Sequence, residues 1–285
     1  MEKLKIAIQK SGRLNEDSID LLKQCGMSFS SGGNKLIASV SNFPMEILFL
    51  RDDDIPQYVQ DGVADIGIVG ENVMVEKEKK VEVSEKLGFS KCRLSIAVPR
   101  GDEFGGISFL NGKKIATSYP KLLNKFLKAN SINSTIEEIS GSVEIAPGIG
   151  LADAVCDIVS SGSTLLTNGL KEVETVFISE AVLIKDQNLS AQKNELLDKL
   201  LFRIRAVNKA KASKYVLLNI PTNKIEEVKK VLPGMKSPTI LPLALEGWSS
   251  LHSVISEDDF WSVIDQLKNI GAQGILIVPI EKMVI

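Results

Sequence analysis

The sequence predicts an α/β protein: two similar α/β lobes followed by a small ferredoxin-like domain of βαββαβ order. Three observations predict it. Short apolar strands run into glycine-bearing turns and then into helical periodicity. The string Gly62-Val63-Ala64-Asp65 is echoed by Gly150-Leu151-Ala152-Asp153, each leading into an apolar strand and a glycine loop. The last third changes rhythm to strand, helix, two strands, helix, strand. The expected boundaries are 1–91 for the first lobe, completed by about 179–206, then 92–178 for the second lobe and 211–285 for the C-terminal domain.

Taken in order, Leu4 to Ile8 reads as a buried strand, and the polar turn Gln9 to Asn15 leads into a helix through Ile19, Leu21 and Leu22. Glu46 to Leu50 is a second strand. Asp52-Asp53-Asp54-Ile55-Pro56 has the acids and early proline of a helix start, with Ile55, Tyr58 and Val59 on its apolar face and Gly62 as its stop. Ala64 to Gly70 is the next strand. Leu94 to Val98 and Lys114 to Ala116 read as strands, with an amphipathic helix through Leu122, Leu123, Phe126 and Leu127. Ser142 to Ile149 reads as a short helix closing at Gly150, and Ala152 to Val159 as a strand.

After Leu200 and Leu201, the polar stretch Asn208 to Lys214 reads as a joint. Tyr215 to Ile220 is then a strand, Thr222 a helix cap ahead of Ile225, Val228 and Val231, and Pro233-Gly234 the stop. Thr239 to Leu245 and Leu251 to Ile255 are strands, Ser256-Glu257-Asp258-Asp259 is a capping-box pattern before Phe260, Ile264 and Leu267, and Gly274 to Val278 is the last strand.

Composition narrows the function classes. The 34 Lys and Arg balance 36 Asp and Glu to a net charge of −2, so no sequence-wide basic field exists for nucleic acid, and an anionic ligand needs a local site. With 44% hydrophobic and 25% charged residues over 285 positions, the chain supports two or three folded domains. No secretory segment or membrane-length apolar run is expected, and Cys25, Cys92 and Cys156 are odd in number and far apart, which fits a reducing cytoplasm. Cys156, in an apolar run, reads as a small buried hydrophobe.

The segment Asp153 to Thr164 is the most informative, because an apolar strand delivers the small, hydroxyl-rich turn Ser160-Ser161-Gly162-Ser163-Thr164 to a helix start. Glycine lets backbone amides approach an anion, and hydroxyls add donors, so the turn suits phosphate. Asp153 and Asp157, four apart, share a face and are candidates to accept ribose hydroxyls or help position magnesium. On spacing alone the same residues read equally as a capped turn with solvated carboxylates.

The surroundings are more specific. Gly141-Ser142-Val143-Glu144-Ile145-Ala146-Pro147, Gly150 to Ala154, Gly162-Ser163-Thr164-Leu165 and Asn168-Gly169-Leu170 closely resemble the phosphoribosyl diphosphate signature of the ATP phosphoribosyltransferases. Lys10-Ser11-Gly12-Arg13-Leu14 resembles that family's nucleotide loop, and Arg51 with Asp65 to Asn72 its second element. Leu232-Pro233-Gly234, Ser237-Pro238-Thr239 and Pro279 to Met283 resemble the long form, so the resemblance covers nearly the whole chain. Two positions depart: Ser161 stands where many members carry Thr, keeping a hydroxyl, and Gly148 where some long-form relatives carry Arg.

The resemblance implies two periplasmic-binding-protein-like lobes closing over a cleft, and attack of adenine N1 of ATP on the anomeric carbon of phosphoribosyl diphosphate with magnesium diphosphate leaving, the first step of histidine biosynthesis. It implies Glu144, Asp153, Asp157, Ser160, Ser161, Gly162, Ser163 and Thr164 for phosphoribosyl diphosphate, and Lys10, Gly12, Arg13, Leu14, Arg51, Gly70 and Glu71 for ATP. It further implies Mg²⁺, feedback inhibition by histidine at Asn219, Ser237, Pro238 and Thr239, and a homo-oligomer in dimer and hexamer forms. No general base and no metal ligand set is identified. The competing expectation is a non-catalytic binding or regulatory protein of the same two-lobe architecture.

Other residues read as structural. Lys10 and Arg13, apart from the resemblance, are ordinary surface charge, and Asp52, Asp53 and Asp54 are helix-start acids rather than a metal site. His252, the single histidine, argues against a histidine triad or a zinc site, and Trp248, Phe260 and Trp261 read as core or interface aromatics.

Overall fold

The structure, a computed structural model, describes residues 2–30, 36–232 and 237–284. In chain order the elements are β1 (Leu4–Gln9), α1 (Arg13–Gln24), β2 (Ile37–Ser39), β3 (Met45–Leu50), α2 (Ile55–Gln60), β4 (Ile66–Gly70), α3 (Glu71–Lys77) and β5 (Val81–Lys86). There follow β6 (Cys92–Pro99), β7 (Lys114–Thr117), α4 (Pro120–Ala129), β8 (Thr135–Glu138), β9 (Ala154–Val159), α5 (Ser163–Thr167), β10 (Leu170–Ser179) and β11 (Ala181–Asp186). The remainder is α6 (Ala191–Lys211), β12 (Ser213–Pro221), α7 (Ile225–Val231), β13 (Thr239–Pro242), β14 (Trp248–Ser256), α8 (Glu257–Ile270) and β15 (Gln273–Pro279).

Two compact units emerge, Met1–Lys23 with Met27–Leu197, and Gln24–Gly26 with Asp198–Ile285. The first unit holds two sheets. One has the order β2-β3-β1-β4-β11-β5, with β1 parallel to β3 and β4 and β11 antiparallel to both its neighbours. The other has the order β10-β6-β9-β7-β8, parallel only between β7 and its two neighbours. Leu4, Ile6, Ala7 and Ile8 are fully buried, as a central parallel strand covered on both faces requires. The chain passes from the first sheet to the second after β5 and returns to it as β11.

Charge pairing ties these elements. Asp65, almost fully buried, accepts the Lys5 backbone N–H at 2.7 Å and binds Lys193 Nζ, at the start of α6, at 2.7 Å. A buried carboxylate needs such partners, since its desolvation is otherwise uncompensated.

In the second unit, β13-β14-β12-β15 form one antiparallel sheet. Val216, Leu218, Ile220 and Leu251 face Val228 of α7 and Phe260 and Leu267 of α8. The Ser256 hydroxyl accepts the Asp259 N–H at 3.0 Å, the N-cap its sequence pattern predicts. No helix among the described residues is long and apolar enough to cross a membrane.

Several local expectations need correction. The helix expected over Ser142 to Ile149 is one 3₁₀ turn, Val143–Ile145, because Ser142 takes a left-handed φ of 49° and Pro147 has no N–H to continue a ladder. The polar stretch 208–214 is no joint: α6 runs through it to Lys211, carried by Leu197, Leu200, Leu201, Ile204 and Val207, buried at helical spacing. Thr222 does not cap α7; its hydroxyl pairs with Ser249 at 2.9 Å and a 3₁₀ turn precedes the helix. The strand expected to reach Leu245 ends at Pro242, and Pro233-Gly234 lie outside the described residues. Of the aromatics expected in a core or an interface, Phe260 is in the core, whereas Trp261 is 64% exposed with its ring against Phe260, which leaves only the interface reading for it.

The packing of α2 on β4 depends on Gly67. A Cβ there would lie 2.5 Å from Ile55 Cγ2 and 3.1 Å from Val59 Cγ2. Gly67→Ala is therefore expected to cost about 1–3 kcal/mol by overpacking, read as a lower urea midpoint with an unchanged slope. A midpoint equal to that of the parent protein would contradict it.

Candidate functional site

Two loops at strand ends face each other in the first unit. The first, residues 10–12, leaves β1 and enters α1. It is pinned on one side by Lys10 N–H to the Leu50 carbonyl at 2.8 Å, and on the other by the Asn15 side-chain amide donating to the Gln9 carbonyl. Gly12 takes a φ of 91°, and its carbonyl accepts the Glu16 N–H as α1 begins. Arg13 is thereby aimed across the gap, its Nη1 donating to the Ser160 hydroxyl at 3.2 Å.

The second loop leaves β9 and enters α5. Gly162 takes a φ of 80°, and the Ser161 and Ser163 hydroxyls lie 3.0 Å apart. Arg93 supports the loop from β6: its guanidinium grips the Glu172 carboxylate through two nitrogens, and Nη1 reaches the Ser160 carbonyl at 3.4 Å. Asp157 shares a face of β9 with buried Val155 and Val159, a face covered by Val143, Ala146 and Leu165. That covering turn brings Glu144 to Asp157, and both line a cavity of about 310 Å³ with Ser160, Ser161, Gly162 and Thr164.

A second cavity, of about 440 Å³, is lined by Gln9, Arg13, Leu14, Asp52, Gly70, Asn72, Val73, Ser90, Cys92, Tyr119, Ile158 and Ser160. The two share Ile158 and Ser160. Tyr119 packs against the apolar cores of both sheets, and burial, then the charges of Asp157 and Asp52, push its hydroxyl above the ordinary phenol range. Asn72 holds this floor in place: its N–H donates to the Ser179 hydroxyl at 3.1 Å, and its Oδ1 accepts from that hydroxyl at 2.8 Å.

The structure gathers most of the residues singled out in sequence, but not all. Glu144, Asp157, Ser160, Ser161, Gly162 and Thr164 meet in the smaller cavity, with exposed Ser163 on the same loop; Arg13, Leu14 and Gly70 line the larger one. Lys10 and Gly12 are exposed on the first loop, and Arg51 is exposed ahead of the 3₁₀ turn Asp52–Asp54. Asp153 is not brought to the loop. A strand rises about 3.3 Å per residue, so Asp153 sits at the far end of β9, where it accepts the Lys114 N–H at 2.8 Å. Glu71 opens α3 and pairs with Lys86 at 3.2 Å rather than lining the larger cavity.

Sequence reasoning missed Gln9, Asn72, Ser90, Cys92 and Tyr119 as cavity residues, and assigned Asp52 only to a helix start; it does open the 3₁₀ turn, but it also lines the cavity. The structural reading of His252 holds: Nδ1 lies 3.0 Å from the Tyr215 hydroxyl and Nε2 3.0 Å from the Ser250 hydroxyl. Cys156 is fully buried, as expected, and burial raises its thiol. Of the residues in the second unit, Asn219 and Thr239 lie on the sheet face opposite α7 and α8, while Ser237 and Pro238 precede β13.

Burial pushes the Asp157 carboxyl up from its ordinary value; the Ile158 N–H opposes this and the Glu144 charge adds to it. The folded value thus exceeds the unfolded one, so the ionised carboxylate penalises the fold above the folded value, and the penalty fades as pH falls through it. Asp157→Asn, which keeps an acceptor for Ile158, is expected to raise the ligand-free Tm at neutral pH, the gain shrinking as the medium is acidified. A lower Tm at neutral pH would contradict this reading.

Comparison with known proteins gives the frame a family. The family model for ATP phosphoribosyltransferase matches residues 51–206, and that for the HisG C-terminal domain matches residues 210–282. An ATP phosphoribosyltransferase of Cytophaga hutchinsonii is 63% identical over 99% of this chain and 98% of its own length; one of Bacteroides thetaiotaomicron is 58% identical over 99% and 100%. A solved chain of the ATP phosphoribosyl transferase (HisG:HisZ) complex from Thermotoga maritima aligns at a TM-score of 0.60 and 28% identity, covering 71% of this chain and 98% of that one. The substrate binding protein of an amino acid ABC transporter aligns at 0.50 with 14% identity over 73% and 93%, a likeness of fold alone that matches the two-lobed, periplasmic-binding-protein-like frame. The chain belongs to the ATP phosphoribosyltransferase family, in its long form with a C-terminal domain.

Proposed function

We propose that this chain condenses ATP with 5-phosphoribosyl 1-diphosphate where its two lobes meet, giving N1-(5-phosphoribosyl)-ATP and diphosphate, the first step of histidine biosynthesis. One observation carries the assignment of substrates to cavities. Arg13 of the nucleotide loop bonds Ser160 of the phosphate loop at the point the two cavities share, so ligands in them would be in contact.

In this reading the 5′-phosphate lies on Ser160 to Thr164, with Asp157 and Glu144 on the ribose and diphosphate side. ATP occupies the larger cavity with Arg13, Leu14, Gly70, Asn72 and Tyr119 around it. Lys10, Gly12 and Arg51 lie toward its phosphates, and Glu71 outside the first layer. Adenine N1 attacks the anomeric carbon as the bond to the diphosphate oxygen breaks, and negative charge grows on the leaving group. No activated protein nucleophile is needed. The rate comes from holding two reactants in line and from cations set where charge develops.

Among the described residues no group of three or more His, Cys, Asp or Glu is arranged to hold a metal ion. Magnesium retains water and phosphate oxygens and takes only one or two protein carboxylates. Asp157 and Glu144 fit that need and would hold a Mg²⁺, which would supply neutralisation of charge on the leaving diphosphate.

Regulation belongs to the second unit. Histidine, bound by Asn219, Ser237, Pro238 and Thr239, inhibits by stabilising an inactive hexamer over an active dimer, and linkage then requires that it shift the oligomer distribution as well. Asn219→Ala is expected to raise the histidine concentration for half-inhibition at least tenfold, the loss of about 1.4 kcal/mol of binding, with uninhibited turnover unchanged. Unaltered sensitivity would remove Asn219 from the site.

The activity is tested with Mg²⁺, ATP and phosphoribosyl diphosphate by following phosphoribosyl-ATP and diphosphate; folded protein that forms neither across a range of magnesium would refute it. Gly162→Val forces a β-branched side chain into a left-handed backbone and is expected to abolish phosphoribosyl diphosphate binding in calorimetry while the circular dichroism spectrum is retained. Undiminished binding would reduce the loop to a turn.

A further inference from the structure

α4 begins without a cap of its own. Its N-cap residue, Tyr119, makes no side-chain bond to the helix, and Pro120 at the first position has no N–H. The next two amides are satisfied from the other sheet's side of the molecule: Lys121 N–H donates to Glu76 Oε1 at 3.0 Å and Leu122 N–H to Glu76 Oε2 at 2.9 Å. Glu76 lies on α3 and is 6% exposed, so a buried carboxylate of the first lobe supplies both the hydrogen bonds and the negative charge that the start of a second-lobe helix calls for. Around it, Val75 of α3 packs into the apolar core under α4, and Glu78 pairs at the surface with Lys121 at 3.0 Å and Lys125 at 2.8 Å.

Both ends of this joint reach the larger cavity. On α3, Asn72 and Val73 line it. Ahead of α4, Tyr119 lines it, its N–H held by the Thr117 hydroxyl at 2.9 Å while that hydroxyl donates to the Cys156 carbonyl at 2.7 Å.

We infer that Glu76 is a positioning residue for the transfer reaction: by capping α4 from α3 it fixes how the two lobes meet, and so the register between the nucleotide loop and the phosphate loop. The inference rests on the assignment of the two substrates to the two cavities. Glu76 touches neither cavity, and its effect passes through α4 and Tyr119. A ligand held by the second lobe alone should be indifferent to it, whereas a step requiring both lobes should not.

The test uses the full chain with Glu76→Ala and the isosteric Glu76→Gln, which retains one acceptor oxygen. Phosphoribosyl diphosphate affinity is measured by calorimetry, kinetics with both substrates, and the folded fraction by urea titration. Glu76→Ala is expected to lower kcat by about tenfold to a hundredfold, the scale for misplaced reactants, with phosphoribosyl diphosphate affinity within about twofold of the parent value and Glu76→Gln between the two. Folded variants with parental kcat would overturn the inference, as would kcat and affinity falling together in proportion to the folded fraction. Should Glu76→Ala not fold, Glu76→Gln decides by the same split. If the parent protein itself makes no product, the substrate assignment fails instead, an outcome distinct from either.

Discussion

The insertion of β11 between β4 and β5 is the constraint on which the first unit depends. The chain leaves the first sheet after β5, builds the whole second sheet, and returns as an antiparallel strand into a slot that β4 and β5 leave open. Ala181, Val182, Leu183 and Ile184 are fully buried there, so the first sheet is complete only when the chain has come back. Two crossings therefore lie side by side, and Cys92, where the chain enters the second sheet, is paired in register with Ser179, where it leaves. Asn72 bonds Ser179 at that place, and Cys92 and Ser90 line the cavity. That side of the cavity is thus set by strand pairing, through Cys92 directly and through Asn72 by its bond to Ser179.

Stability and chemistry make opposite demands on the carboxylates. Asp65 and Glu76 are buried with every oxygen partnered, Glu76 by two backbone N–H groups and Asp65 by one backbone N–H and the Lys193 ammonium, and each joins separate elements. Asp157 is half-buried with one N–H partner, while burial and the Glu144 charge work against its ionised form. An arrangement that disfavours a charge when empty is one that gains from a cation or from hydroxyl donors when filled. The contrast separates Asp65 and Glu76 from Asp157, the carboxylate assigned to the substrate in the proposed function, by their partners, which burial alone does not do.

The parts legible in sequence were those with local cause. β1, β4, β6 and β9 are predominantly apolar, and Ser256 ahead of α8 carries its own capping chemistry. β5, β8 and β10 passed unread because they interleave charge with short apolar residues, and β10 is an edge strand with two bulges, so no clean alternation survives. α6 was hidden by its Lys-rich end, since only the buried stripe from Leu197 to Val207 reveals it. Within the site the turn Ser160 to Thr164 was legible as a loop, but a spacing of four looked the same for Asp153 and Asp157 until the direction of β9 showed that Asp157 lies toward the loop end and Asp153 at the far end. Asn72 and Tyr119 carry no motif: the place of the first comes from Ser179 at the end of β10 and that of the second from the start of α4, and both depend on contacts remote in sequence.

The frame itself does not choose between binding and catalysis, because a solute-binding protein at 14% identity shares it. The difference lies in what lines the gap. A binding protein needs one set of groups complementary to one solute, whereas here two cavities meet at Ser160, one walled by a hydroxyl and carboxylate cluster and the other by Arg13, Tyr119 and the Asn72 amide. On the proposed assignment, such a pair takes two unlike ligands edge to edge. Since Arg13 follows the first sheet's β1 and Ser160 the second sheet's β9, the proposed contact between substrates depends on how the lobes meet, which is the condition for bringing two reactants into line.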